Sequence, residues 1–289
     1  MKHWLAAFRL KTLPLALGAI ILGSRLHELA FDFQIFLFAA LTAIFLQILS
    51  NLANDYGDYV KGTDRHRKDR QLSGGNISKQ AMLIAIVLFV ILALGSGIYL
   101  LHLAFADNWS YWLKFFGLGI ASIVAAITYT VGKKAYGYNG LGDVFVLIFF
   151  GLIGVAGTAF LFKQDLNAEM WLAAIAYGCL CVGVLNVNNI RDLDKDILTN
   201  KITLASKLGR EGAIVYQTVL IAIAFLGFAA HHLALDYFSM APVATVVLGY
   251  FHITKLRNAE ISDDYNKQLK FLSLGSLVVV ILFCIKLFM

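Results

Sequence analysis

Only two prolines, Pro14 and Pro242, interrupt a chain of 289 residues. There is no Ser/Gly-rich linker either, so a single domain over 1–289 is expected. No heptad pattern or low-complexity tract is present, which excludes a coiled coil. Cysteine is scarce as well: Cys179, Cys181 and Cys284 all lie inside apolar runs. That excludes a disulfide framework and a paired metal-ligand spacing, and leaves buried structural thiols. Segments of alternating polarity, the mark of a transmembrane barrel, are absent. A cleavage site is also missing. Lys2, Arg9 and Lys11 precede the first apolar run, but Glu28 and Asp32 follow it, so a retained first span is expected rather than a signal peptide.

What the chain has in excess is oil. Hydrophobic residues make up 60% of it and the mean hydropathy is +0.75, above the roughly 45–50% apolar content of a soluble domain. The excess falls into nine runs near 12–30, 34–55, 80–103, 110–131, 140–162, 169–190, 211–231, 237–256 and 269–288. Each approaches the roughly 20 residues that cross a bilayer as helix. Helix is the form such runs require, because in lipid each must satisfy its own backbone hydrogen bonds. The expected class is therefore an all-α polytopic membrane protein. Twenty of the 24 Lys and Arg fall in the N-terminus and in connections 56–80, 132–134, 191–210 and 255–270. The positive-inside rule then makes the N-terminus cytoplasmic and the C-terminus external. Topology accounts for most of the net +6, so nucleic acid is not an expected partner.

The two longest inner connections each carry an aspartate cluster. If the second run stays helical past the membrane edge, Asn51, Asp55 and Asp58 stand at i, i+4 and i+7 on one stripe. Asn188, Asp192 and Asp196 stand at i, i+4 and i+8, again on one stripe, with Asp194 opposite. Facing each other across a cleft, the stripes would form a cage of oxygen ligands. Such a cage repels itself without cations, and its oxygens suit Mg²⁺ bridging carboxylates to phosphates. Lys61, Arg65, Arg67, Lys68 and Arg70 flank the first cluster, and Arg191, Lys195 and Lys201 the second. Carboxylates, metal and cations together suit a diphosphate, whose charge they would stabilise as it leaves. A charge beside a span is routine; the same pattern arising twice, each time with Asn one turn ahead, favours a site. Asp69, Asp194 and the run 65–68 read as solvated surface. His66, His231 and His232 show no ligand spacing and read as surface or interface side chains.

Two further inner stretches admit two readings each. "AITYTVGKKAYGYNGLGD" (126–143) brings Tyr129, Lys133, Lys134, Tyr136, Tyr138 and Asp143 to the same side, either to close the site or, for the tyrosines, as interface anchors. "FRLKTLPLA" offers Arg9 and Lys11 ahead of Pro14, as substrate contacts or as snorkelling anchors. Asn54 joins Lys61, Arg70, Tyr129, Lys133, Lys134, Lys201, Arg9 and Lys11 in the expected substrate-binding set.

Taken together, "RLKTLPLALGAIILG", "QILSNLANDYGDYVKGTD", "AITYTVGKKAYGYNGLGDVFVLIFFG" and "LNVNNIRDLDKDILTNKITLASKLG" resemble the UbiA superfamily of intramembrane prenyltransferases. Within it they are most similar to the branch acting on 1,4-dihydroxy-2-naphthoate. The resemblance covers about the first 210 residues; the last three runs add only their number. It implies nine helices bundled around a central cavity, capped by cytoplasmic loop helices, in a bacterial inner membrane. It also implies two Mg²⁺ ions bridging a polyprenyl diphosphate to both aspartate motifs. By position, Asn51, Asp55, Asp58 and Asp64 serve the first motif and Asn188, Asp192 and Asp196 the second. Arg70 matches the basic residue of an R-x-x-x-S-G-like element, here "RQLSGG", and Lys133 or Lys134 a diphosphate-binding cation. The chain departs from the family pattern in a shorter 64–70 loop lacking a "GP" step, in Asn200 before "K-x-T-L", and in Lys207 before "LG".

The activity implied is prenylation of 1,4-dihydroxy-2-naphthoate with loss of CO₂ and diphosphate, a step of menaquinone biosynthesis. Asp55, Asp58, Asp192 and Asp196 would be catalytic, and membrane lipid would surround the enzyme. The rival acceptors are 4-hydroxybenzoate and homogentisate. The rival class is an ion-coupled secondary transporter, which predicts acidic residues near the bilayer midplane rather than at its edge.

Overall fold

The computed structural model describes residues 1–27, 30–64, 70–132, 135–235 and 238–287. In chain order its helices are α1 (Lys2–Ala7), α2 (Leu13–Arg25), α3 (Phe33–Lys61), α4 (Lys79–Phe105), α5 (Trp109–Thr128) and α6 (Gly142–Val146). They continue as α7 (Thr158–Lys163), α8 (Ala168–Arg191), α9 (Leu193–Leu198), α10 (Leu204–Leu235), α11 (Ala241–Arg257) and α12 (Ser262–Cys284). An 11-residue π-helical stretch, Leu147–Gly157, joins α6 to α7, and two-residue strands, β1 (Phe238–Ser239) and β2 (Lys286–Leu287), pair antiparallel.

Each predicted run is thus helical over most of its length. Among the described residues, eight stretches are long and apolar enough to cross a membrane: Lys2–Arg25, α3, α4, α5, Gly142–Lys163, α8, α10 and α12. The other run forms α11, which carries Pro242 in its first turn and ends with Lys255 and Arg257 in its last turn. Its 17 residues reach about 26 Å, just short of a hydrocarbon core of about 30 Å. The last run starts earlier than its apolar pattern, because Ser262, Asp263 and Asp264 open α12 as a polar first turn.

The chain divides into two compact units. The first comprises Met1–Leu13 and Asp32–Asn139, in which α3, α4 and α5 pack on one another. Leu49, Leu52 and Met82 are fully buried at its core. Asp32 caps α3 by accepting from the N–H groups of Gln34 and Ile35 at 2.7 and 3.0 Å. The helix then runs 29 residues to Gly62, whose φ of 76° stops it. At about 43 Å it outlasts the hydrocarbon core, so the expected continuation past the apolar run is present. Gly57 permits a close approach: a Cβ there would lie 2.5–2.8 Å from Thr130. The Thr130 hydroxyl donates to the Ala53 carbonyl at 3.0 Å across that contact.

The second unit comprises Pro14–Phe31 and Gly140–Met289. α8 is its centre, packed by α10, α12 and the π-helical stretch, and it is the most buried of the spans. Tyr177 on α8 is fully buried and donates to the Leu15 carbonyl at 2.8 Å. Cys179 and Cys181 are buried free thiols and Cys284 is half-buried. His231 and His232 correct the sequence reading, since both are buried. His231 donates from Nδ1 to the Glu169 carbonyl and His232 pairs with the Ser239 hydroxyl. The β1–β2 pair supplies Ser239 as that partner, a contact no helical pattern announces. His66 lies outside the described residues.

Candidate functional site

In the first unit, Asn51, Asp55 and Asp58 all sit on α3 and are all buried, as is Asp64 just beyond Gly62. Four polar side chains at a helix end do not enter a protein interior unless something holds them, and each has its own holder. Asn51 donates through Nδ2 to the Phe8 carbonyl at 3.0 Å and to Thr12 Oγ1 at 3.3 Å. It thereby ties the amino-terminal segment to α3. Asp58 accepts from the Tyr138 hydroxyl at 2.7 Å, and Arg70 Nη2 stands 3.6 Å from its other oxygen. Asp64 meets Arg70 Nε at 2.9 Å, although the N–H is not aimed along that line, so the charges pair without an aligned hydrogen bond. One guanidinium therefore bridges two carboxylates and keeps N–H donors for a further anion.

Asp55 differs from its neighbours. Its Oδ2 accepts from the backbone N–H of Gln71 at 3.3 Å, while Oδ1 is buried with no hydrogen-bond partner. An orphaned carboxylate oxygen inside an acidic cluster is the mark of a cation position. Among the described residues, no three His, Cys, Asp or Glu side chains gather closely enough to hold a metal unaided. A Mg²⁺ ion held by one or two of these carboxylates would draw its other ligands from water and phosphate.

The expected substrate-binding residues divide. Arg9, held at φ 50°, donates from Nη2 to Asn54 Oδ1 at 2.8 Å, so these two are brought together. The Lys61 ammonium stands 3.7 Å from the centroid of the Tyr138 ring, a cation–π contact. Lys11 is exposed. Tyr129 packs edge-on against Tyr136, centroids 5.3 Å apart. Lys133 and Lys134 lie outside the described residues, as do Asp69 and the run 65–68. Burial, and then the Asp58 charge, push the Tyr138 phenol well above its usual value, so it stays a donor at any working pH.

The second unit builds its cluster differently. Asn188, Asp192 and Asp196 do not lie on one unbroken helix: α8 ends at Arg191, and Asp192 caps it at φ −97°, ψ 8°. The helix restarts as α9, and the Asp196 N–H still donates to the Asp192 carbonyl at 2.9 Å. Asp192 and Asp196 remain buried while Asp194 is exposed, so the expected facing survives the break. Arg191 grips Asp192 with Nε and Nη2 at 3.0 and 2.6 Å. Its Nη2 also donates to Asn188 Oδ1 at 2.7 Å and its Nη1 to Asn266 Oδ1 at 2.9 Å. Lys201 stands 3.3 Å from Asp196 Oδ1.

The sequence placed Arg191 only as a neighbouring cation, offered Tyr138 as one of several residues that either close the site or anchor at the interface, and gave Gln71 and Asn266 no role at the clusters. Arg191 could have been read from its adjacency to Asp192. Asn266 had no signal beyond its place in the basic inner connection 255–270.

Comparison with known proteins follows this geometry. The UbiA prenyltransferase family model matches residues 12–277. A 1,4-dihydroxy-2-naphthoate octaprenyltransferase of Haemophilus influenzae is 44% identical over 241 residues, covering 81% of this chain and 78% of the relative. The protein of the same name from Escherichia coli is 45% identical over 223 residues, covering 75% and 72%. Among solved structures, the apo UbiA homolog from Aeropyrum pernix superposes with a TM-score of 0.73 at 18% identity, covering 94% of this chain and 96% of its own. The UbiA homolog from Archaeoglobus fulgidus bound to GPP and Mg²⁺ gives 0.65 at 14%, covering 96% and 99%. At such identities the likeness concerns the fold. The sequence match over nearly the whole length, with buried aspartates in both units, leads to one conclusion: this chain belongs to the UbiA prenyltransferase family.

Proposed function

We propose that the protein transfers a polyprenyl group from polyprenyl diphosphate to 1,4-dihydroxy-2-naphthoate, releasing diphosphate and CO₂ and giving demethylmenaquinol. The observation that carries this reading is the unpartnered Asp55 oxygen beside an arginine that bridges Asp58 and Asp64. The two relatives named for the naphthoate reaction supply the acceptor, and their octaprenyl donor is the first to assay.

In this reading, by family pattern, Asn51, Asp55, Asp58 and Asp64 form one motif serving Mg²⁺ and the donor diphosphate, and Asn188, Asp192 and Asp196 form the second. Bound Mg²⁺, two ions by family pattern, would supply Lewis-acid stabilisation of the departing charge. Arg70 offers its remaining N–H donors to the diphosphate, and Lys61 and Lys201 add positive charge. Tyr138, held protonated, fixes the rotamer of Asp58. As the allylic C–O bond breaks, its electron pair leaves with the diphosphate. The electron-rich ring attacks the allylic carbon, and loss of the carboxylate as CO₂ returns the electron pair to the ring. The apolar surroundings exclude water, which would otherwise capture the allylic cation.

The basic residues support a cytoplasmic N-terminus and an external C-terminus in a bacterial inner membrane, with α11 as the ninth crossing. To test the chemistry, membranes carrying the protein are supplied with Mg²⁺, labelled octaprenyl diphosphate and each candidate acid. Product is expected with 1,4-dihydroxy-2-naphthoate and lost with EDTA. Product only with 4-hydroxybenzoate would overturn the acceptor, and undiminished turnover in Asp55→Ala would overturn the metal reading.

A further inference from the structure

Tyr59, Val60, Ser73 and Lys79 line a cavity of about 400 Å³ at the end of α3, where Tyr59 stands about 40° around the helix from Asp55. Val60 stands about 160° around the helix from Asp58 and about 140° from Asp55. Lys79 opens α4, is exposed, and makes no ion pair among the described residues. Its ammonium lies 6.0 Å from the Tyr56 ring centroid. The Ser73 hydroxyl is buried with no hydrogen-bond partner. The pocket thus offers an uncommitted cation and an unused hydroxyl, and among the described residues no carboxylate lines it. Its chemistry is that of a phosphate receptor.

What lies below Lys79 on α4 indicates which phosphate. Leu83, Val87 and Ile91 follow it at i+4, i+8 and i+12, on one face, and are 39%, 57% and 60% exposed. In a membrane span such a stripe meets acyl chains. A cation at the head of a lipid-facing stripe, at the end of the span, is placed where phospholipid headgroups lie.

We propose that this pocket binds the phosphate of an anionic phospholipid, with its acyl chains along the Leu83–Val87–Ile91 stripe. Lys79 and Ser73 donate to the phosphate oxygens, and Val60 and the Tyr59 ring pack against the glycerol end. The lipid site stands whether or not the naphthoate assignment does.

The test is lipid retention by the purified full chain, read by native mass spectrometry after equilibration in mixed phosphatidylglycerol and phosphatidylcholine. Wild type is expected to retain phosphatidylglycerol preferentially. Lys79→Gln should lower that preference about fivefold, the value of one basic residue at an anionic surface. Lys79→Arg should restore it, and Ser73→Ala should lower it less. Two further arms add inorganic phosphate, or Mg²⁺ with inorganic diphosphate, and neither should displace the lipid. Equal retention by wild type and Lys79→Gln would overturn the proposal. Displacement by phosphate would make the pocket a free-anion site, and displacement by Mg²⁺-diphosphate would make it part of the substrate site; either outcome overturns the lipid assignment.

Discussion

The two aspartate clusters share a composition and differ in how they are held. In the first unit Asp55 and Asp58 ride an unbroken 29-residue helix, and their partners come from beyond it: Gln71, 16 positions from Asp55, Arg70, and Tyr138, 80 positions from Asp58. In the second, the helix breaks at Asp192 and the holders are near in sequence, Arg191 next door and Lys201 five residues on. Asn266 is the one distant tie. The first cluster thus depends on loops docking onto a rigid helix. The second is organised mainly by its own turn.

The sharpest way to break this contrast is Arg191→Gln. The Arg191 and Asp192 side chains are 6% and 9% exposed, so the substitution leaves a buried carboxylate without its cation. A loss of about 3–5 kcal/mol is expected, measured as a lowered unfolding midpoint in detergent. A midpoint within error of wild type would show that the local turn does not hold the second cluster. Next in size is Asp55→Asn. Activity should fall by roughly 10²–10³-fold, while stability holds or rises, because the orphaned oxygen gives way to an amide able to donate. Turnover near wild type would remove Asp55 from the chemistry; a destabilised variant would show that the Asp55 carboxylate is structural.

Gly57→Ala tests the docking on which the first cluster relies. A methyl group would enter the contact with the Thr130 side chain and backbone, and overpacking of this kind costs about 1–3 kcal/mol. The expected readout is a lower midpoint with a raised Mg²⁺ requirement, since Asp55 and Asp58 flank Gly57. An unchanged midpoint would mean that α3 and the Thr130 segment part without cost.

How much of this was legible depended on the range of the interaction. The facing of Asn51, Asp55 and Asp58 followed from 100° per residue, and the burial of Asp192 and Asp196 with Asp194 outside was readable in the same way. The break at Asp192 was not, because spacing of four residues survives a cap that still passes one hydrogen bond on. Nor was the burial of His231 and His232, which depends on Ser239 in a strand that pairs with the C-terminal end. Tyr138 was visible only as one aromatic among several in its loop; its hydrogen bond to Asp58 spans 80 positions. Periodicity reports faces, and long-range partners lie outside its reach.

The smallest effect expected is that of Tyr138→Phe, and it separates the two ways of holding a carboxylate. The phenol donates to Asp58 at 2.7 Å, and Arg70 approaches the other oxygen at 3.6 Å. Losing the phenol should cost about 1–2 kcal/mol in transition-state or folding free energy, with Asp58 still neutralised. The pH dependence fixes the sign. Burial and the Asp58 charge raise the Tyr138 value in the folded state above the ordinary 10.0, so the folded protein binds that proton more tightly than the unfolded chain does. Stability from this group is fully present below pH 10 and is lost as pH rises through the folded value. Tyr138→Phe should therefore be less stable than wild type at neutral pH, and the gap should narrow in alkali. A gap constant across that range would mean that the phenol does not report on Asp58, and that Arg70 alone holds the first cluster's central carboxylate.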